Sequence, residues 1–231
     1  MFNCAIAIFL ISCSLLIQMQ GGQSRKDCAA SISECPAEGC GEYAIDRELN
    51  KLKNRVTEPA SFTPLSIEEL VNLQKFEPES WTPDRKRSSL SKWEETGVTT
   101  QGYLLRVRQG PIESANCQLS GINNSNWVLS LVQRPNETRE QSVTAQISPR
   151  HRPTGWDFNK LEALAKEDAY IRVSGWLLLN TAQLNQQNFG KLRATNWEIH
   201  PVVQIEVCKS TISECQKNSE GNNGWVKLAD L

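Results

Sequence analysis

Residues 168–207 limit the fold more than any other part of the chain. Between 169 and 180 (AYIRVSGWLLLN) polar and apolar side chains first alternate and then give way to an apolar run, and residues 193–202 read RATNWEIHPV. Alternation at a period of two marks a strand with one buried face, and a short apolar run marks a strand buried more fully. Two strands are therefore predicted, joined by a polar loop over 181–188 that is rich in Asn and Gln. Gly175 sits inside the first of them, where glycine marks a bulge or a bend at a barrel corner.

Three more strands precede this pair. From Gly97 onward the pattern again has period two, which predicts Tyr103, Leu105 and Val107 on the core side and Leu104, Arg106 and Arg108 on the outer side. A loop containing Gly110, Pro111, Cys117 and Gly121 follows. Residues 127–132 and 142–147 supply the next strands, the latter with Val143, Ala145 and Ile147 on one face. After a turn-rich segment over 148–153, residues 157–166 form a short helix with Leu161 and Leu164 as its apolar stripe. Three strands, a helix and two more strands is the order of an OB barrel, and five strands are too few for a typical sandwich. The predicted fold is thus mainly β, a five-stranded OB-like barrel with a short helix between strands three and four.

An α-helical, Cys-rich N-terminal segment precedes the barrel. Tyr43, Ile45, Leu49 and Leu52 recur near helical spacing within 42–55, and the basic end suits a helix C-terminus. A second helix starts at Ser66, with Glu69 completing a capping box. Pro78, Pro83 and residues 84–91 suggest an exposed connector, in which Arg85, Lys86 and Arg87 are solvated and offset by Asp84, Glu94 and Glu95. Residues 218–231 show no periodicity. The expected organisation is a signal peptide over 1–22, a Cys-containing helical extension and linker over 23–95, the barrel over 96–208 and a tail over 209–231.

The apolar run 4–17, followed by small and polar residues, has the form of a secretory signal and is too short to span a bilayer comfortably. A secreted or periplasmic protein with no transmembrane segment in its mature chain is expected. Leu10-Ile11-Ser12-Cys13 matches a lipobox in form, but apolar residues continue beyond Cys13, which weighs against a lipid anchor. Removal of the signal would leave Cys28, Cys35, Cys40, Cys117, Cys208 and Cys215, an even set that suggests three disulfides in an exported chain without choosing among the pairings. The spacing of Cys28, Cys35 and Cys40 is wider than structural zinc sites prefer, so no metal is assigned. Asn123 and Asn136 lie in glycosylation sequons, which matter only on a eukaryotic secretory route.

Residues 102–105 (GYLL), 143–150 (VTAQISPR), 171–177 (IRVSGWL) and 197–202 (WEIHPV), with 48–55 (ELNKLKNR) upstream, resemble a group of exported, mostly bacterial, OB-like proteins of uncharacterised function. The resemblance covers roughly 110 residues and implies a fold but no activity. Staphylococcal-type nucleases share the OB architecture, yet their Asp-Gly-Asp calcium segment has no counterpart here.

No catalytic motif is present. His151 and His200 are the two histidines; jointly they could serve a hydrolase, but His151 is flanked by Arg150 and Arg152, and His200 precedes Pro201 inside a strand. Ser148 and Ser174 lie in no nucleophile elbow, and no cofactor motif appears. Binding is the stronger reading. Arg106, Arg108, Arg172 and Trp176 are predicted on outer strand faces, with Arg150 and His151 nearby in sequence, a surface on which OB domains hold sugars or single strands. Between Thr96 and Cys208 there are 11 Lys and Arg against 9 Asp and Glu, less basic than nucleic-acid binders usually are. A non-catalytic module contacting a protein or glycan is the leading expectation, single-stranded nucleic acid or another polyanion the alternative, and a His151/His200 hydrolase the second alternative.

Overall fold

In the computed structural model, which describes residues 28–73, 87–183, 192–218 and 221–231, five strands close into a barrel. The expected signal peptide, Cys13, Arg85 and Lys86 lie outside the described residues. The strands are β1 (Thr63–Pro64), β2 (Gly97–Gln109), β3 (Trp127–Val132), β4 (Val143–Ile147), β5 (Tyr170–Leu179), β6 (Trp197–Cys208) and β7 (Trp225–Lys227). The helices are α1 (Ala44–Lys53), α2 (Ile67–Asn72), α3 (Ser91–Glu94), α4 (Phe158–Lys166) and α5 (Ile212–Lys217). β2, β3 and β4 form an antiparallel meander, β4 runs parallel to β6, and β6 and β2 both pair antiparallel with β5. The ring is therefore closed, with α4 between its third and fourth strands in the chain.

Alternation explains most of the core. Leu129 and Leu131 of β3, Ala145 and Ile147 of β4, Ile171 and Val173 of β5 all point inward. α4 starts at Asp157, whose side chain accepts a hydrogen bond from the Lys160 amide, and buries Leu161 and Leu164 against the same core. α2 carries the predicted Ser66–Glu69 capping box and delivers Ile67 and Leu70 to it.

The predicted facing of β2 is corrected in its first half. Leu104 pairs with Leu131 and Arg106 with Ser130, which leaves Leu105 as the extra residue of a bulge. An inserted residue reverses the parity of everything before it. Leu104 is therefore the core residue together with Val107, while Tyr103 turns outward and packs edge-on against Tyr170 at 5.1 Å. Arg106 and Arg108, beyond the bulge, keep their outward facing.

The connector before the barrel is also corrected. Residues Arg87–Leu90 form a 3-10 turn whose Arg87 is buried, ion-paired with Glu94 and bonded to the Leu179 carbonyl and to Thr181 Oγ1 at 2.9 Å. Glu94 also accepts the Leu179 amide at 3.0 Å. This ion pair fastens α3 to the end of β5. Losing either partner would strand a buried charge, which is why such pairs are costly to break even when they add little net stability.

The tail adds structure that its sequence pattern did not announce. β7 pairs with β6 through Glu206↔Lys227 and Cys208↔Trp225, too few residues for periodicity to register. Disulfides join Cys28 to Cys40, Cys35 to Cys117 and Cys208 to Cys215. These bridges fit an oxidising compartment, and no helix among the described residues is long and apolar enough to cross a membrane.

Gly175 is a point of close backbone approach in the barrel. The register between β5 and β6 shifts on both sides of it, as expected of a bulge. A Cβ at this position would press on the Pro201 carbonyl oxygen and come within 2.9 Å of Val202 Cα. Both are backbone atoms of β6 and cannot swing aside. Gly175→Ala is expected to lower stability by about 1–3 kcal/mol, the usual cost of overpacking, measured by urea unfolding with the disulfides intact.

Candidate functional site

Outward positions on three neighbouring strands and the loops beside them build one small polar cleft with a cavity volume of ≈ 60 Å³. Its floor includes Val128 and Ser130 of β3 and Thr144 and Gln146 of β4; its walls bring Arg108 from β2, Pro111 and Glu113 from the loop after β2, Arg139 from the 3-10 turn Arg139–Gln141, and Asn180, Leu192 and Arg193 from the connection between β5 and β6. Strand alternation sends Ser130, Thr144 and Gln146 away from the core, so hydroxyl and amide groups line the bottom.

Three guanidinium groups, those of Arg108, Arg139 and Arg193, line this cleft, and the charge of Arg106 acts on two of them from nearby. Burial first, and then the charges of Arg139, Arg106 and Arg193, push Arg108 below the ordinary arginine value. Arg139 is lowered in the same order of causes, by burial and then by Arg106 and Arg193. Arg193 is paired with Glu198 at 2.7 Å, and the cleft's Glu113 is taken by Lys53 at 2.8 Å. Arg106 and Arg108 make no ion pair among the described residues, and neither does Arg139. Like charges held together in a partly desolvated space favour an anion that would neutralise them.

Behind the floor runs a buried polar chain. Asn116 donates to Asn126 at 3.2 Å, Asn126 to Gln146 at 3.3 Å, and Gln146 to Glu198 at 3.0 Å. Glu198 also accepts from Asn180 at 3.1 Å and from His200 Nδ1 at 3.0 Å. Both Glu198 and His200 are essentially without solvent exposure. Burial alone would raise the Glu198 carboxyl, but the His200 hydrogen bond and the Arg193 charge outweigh it and hold the group ionised. Burial pushes the His200 imidazole below its ordinary value in spite of the Glu198 hydrogen bond and charge. His200 is accordingly a neutral ring donating Nδ1–H to a carboxylate. The pair anchors Arg193 and Asn180, two walls of the cleft.

α1 closes the end of this face where His200 lies. Lys53 reaches the loop after β2 through Glu113, while Asn50 bonds Ser114 at 3.1 Å and Asn54 bonds the Ala115 carbonyl at 2.8 Å. The outer strand face is thus covered over Glu198 and His200 and left open at the arginines.

The sequence-predicted site residues separate into two groups. Arg108 lines the cleft, and Arg106 lies close enough for its charge to act on Arg108 and Arg139. Arg172 is buried, paired with Glu206 at 2.6 Å, bonded to the Gly221 carbonyl and stacked on Trp225 at 4.7 Å, so it fastens the tail. Trp176 donates to the Thr57 carbonyl at 2.8 Å and carries Arg55 over its ring at 4.4 Å, which places it under the N-terminal segment. Arg150 donates to the Pro36 carbonyl at 2.8 Å, and the His151 ring meets Trp156. No contact joins His151 to His200 among the described residues. Sequence reasoning missed Arg139 and Arg193 because both lie outside the strands, where parity has no say. It also missed Glu198, although its position two residues before His200 put both on one strand face.

Comparison with protein-family models, with curated proteins and with solved structures finds no match, so any functional reading rests on this geometry.

The His200–Glu198 pair has a pH signature. A histidine lowered by folding stays neutral in the native state and takes up a proton more readily when unfolded, so its contribution is intact above the unfolded value of about 6.5 and fades as pH falls through it. The melting temperature of the native sequence is expected to drop between pH 7.5 and 5.5, and His200→Asn, which keeps an amide donor for Glu198, is expected to flatten that drop. Thermal melts across this range check it.

Proposed function

We propose that the chain is an exported, OB-type binding module that holds an acidic glycan against the outer face of β2, β3 and β4. The observation that carries this reading is the convergence of Arg108, Arg139 and Arg193 on one cleft, with the Arg106 charge close by, in which Arg108 and Arg139 make no ion pair among the described residues. Guanidinium groups match carboxylate and sulfate oxygens by bidentate hydrogen bonds. The floor adds Ser130, Thr144, Gln146 and Asn180, whose hydroxyl and amide groups suit sugar hydroxyls. The strand order and helix position are those of the OB barrel, which binds oligosaccharides on this side of the sheet.

The alternatives are less well supported by the same residues. Single-stranded nucleic acid is gripped by stacking on aromatic rings, and none of the cleft residues named above is aromatic. An acidic protein segment offers the carboxylates but makes little use of a floor so rich in hydroxyl and amide groups. A hydrolase using His151 and His200 needs the two rings together, whereas one meets Trp156 and the other is buried on Glu198.

Heparin serves as a sulfated probe, with neutral dextran and oligodeoxythymidine as the comparison arms. Heparin binding that weakens with salt is expected, with dextran inert. Replacing both Arg108 and Arg139 by Gln is expected to weaken the binding at least tenfold, about 1.4 kcal/mol, without lowering the melting temperature. Unchanged affinity in that variant would remove the cleft from consideration, and tighter binding to oligodeoxythymidine than to heparin would replace the glycan with a single strand.

A further inference from the structure

Away from the cleft floor, two disulfides stand side by side. The Sγ atoms of Cys28, Cys40 and Cys117 all lie within 4.8 Å of one another, although Cys28 is bonded to Cys40 and Cys117 to Cys35. Their accessibility is graded. Cys28 is exposed and Cys40 half-buried, whereas Cys35 and Cys117 are 3% and 0% exposed. Solvent therefore meets the outer bridge and not the inner one. The outer pair places two sulfurs within 4.8 Å of the inner bridge's Cys117.

We propose that these four cysteines form a thiol–disulfide exchange relay whose substrate is an external thiol, either a small molecule or an exposed protein cysteine. Exchange proceeds by thiolate attack on a disulfide sulfur, with departure of the other sulfur as a thiolate. The external thiolate attacks Cys28 Sγ, forms a mixed disulfide there, and the electron pair of the broken bond leaves on Cys40. The Cys40 thiolate attacks Cys117 Sγ, forms a Cys40–Cys117 bond and expels Cys35 as a thiolate. Cys35 is left as the free thiol, and the external group stays on Cys28 as the mixed disulfide. Two S–S bonds have formed and two have broken, one thiolate entering from outside and one leaving on Cys35, so the exchange is redox-neutral and needs no further oxidant or reductant.

Geometry favours Cys40 as the relay sulfur. Its amide donates to the Ser114 carbonyl at 2.7 Å, which holds it beside the loop that carries Cys117. Asn50 and Asn54 bond the same segment and loop at the Glu38, Ala37 and Ala115 carbonyls. The N-terminal segment remains tied to that loop in either pairing, through Cys35 in one and Cys40 in the other. What changes is the covalent setting of Cys117, whose neighbours Glu113 and Asn116 stand at the cleft wall and at the start of the buried polar chain. The relay is independent of which ligand the cleft takes.

Cys28→Ser tests it, because it leaves Cys40 as a free thiol next to an intact inner bridge. Alkylation of the folded variant with iodoacetamide, followed by peptide mapping without reduction, is expected to divide the label between Cys40 and Cys35 and to show a Cys40–Cys117 cross-link. Label confined to Cys40, with Cys35–Cys117 intact, would overturn the relay. Cys215→Ser is the control, since its free Cys208 has no such neighbour and should keep all of the label. Should Cys28→Ser fail to fold, the native sequence incubated with glutathione and then trapped gives the same decision. A Cys40–Cys117 cross-link with glutathione on Cys28 supports the relay, and glutathione on the outer pair alone, with the inner bridge unchanged, refutes it.

Discussion

The structure depends on β6 being bonded along both of its edges. One side pairs parallel with β4 through Thr144↔Glu198 and Ala145↔Ile199, and the other runs antiparallel along β5. Without the β4 pairing the sheet would be an open meander with two bare edges, the arrangement that natural sheets avoid. Closure requires β6 to bend, and Gly175 on the neighbouring strand gives it room to approach at Pro201. The inward positions of β6, among them Trp197, Ile199 and Ile205, then complete the core, while its outward positions supply Glu198, His200 and Glu206. One strand thus seals the interior and carries the buried charges that organise the exterior.

Those outward charges divide the surface into two parts with different duties. Glu206 draws in Arg172, and through it the Asn218 and Gly221 carbonyls and the Trp225 ring, so the tail is held by a guanidinium that has no spare capacity. Glu198 draws in Arg193, Asn180, Gln146 and His200. The second arrangement leaves Arg106, Arg108 and Arg139 without an ion pair among the described residues. Burying a carboxylate so completely is unfavourable unless its oxygens are saturated with donors, and the donors that saturate Glu198 are the residues that shape the cleft.

The barrel was legible because its signals are local. Period-two alternation identified the five strands, apolar spacing and caps identified α1, α2 and α4, and Gly175 announced its bulge. Leu105 did not, since no side chain there distinguishes an extra residue from an ordinary one, and the facing of Tyr103 and Leu104 was reversed as a result. Arg87 and Glu94 were read as solvated because sequence shows charges without their depth. Arg106 and Arg108 were found by parity alone, whereas Arg172 and Trp176 satisfied the same parity and turned out to be covered by chain arriving from the tail and from residues 55–57. Facing is set by neighbours in sequence; exposure is set by segments far away in it.

Closure of the ring also dictates when the molecule can become compact. Gly97 meets Trp176, and Ala145 meets Ile199, so both closing contacts join residues more than 50 positions apart. The meander of β2, β3 and β4 can assemble from nearby segments, but it buries nothing completely until β5 and β6 arrive. Contacts of such separation are entropically slow to form. The apolar side of those three strands is therefore sealed only by pairing with the last long strand, the contact that closes the ring.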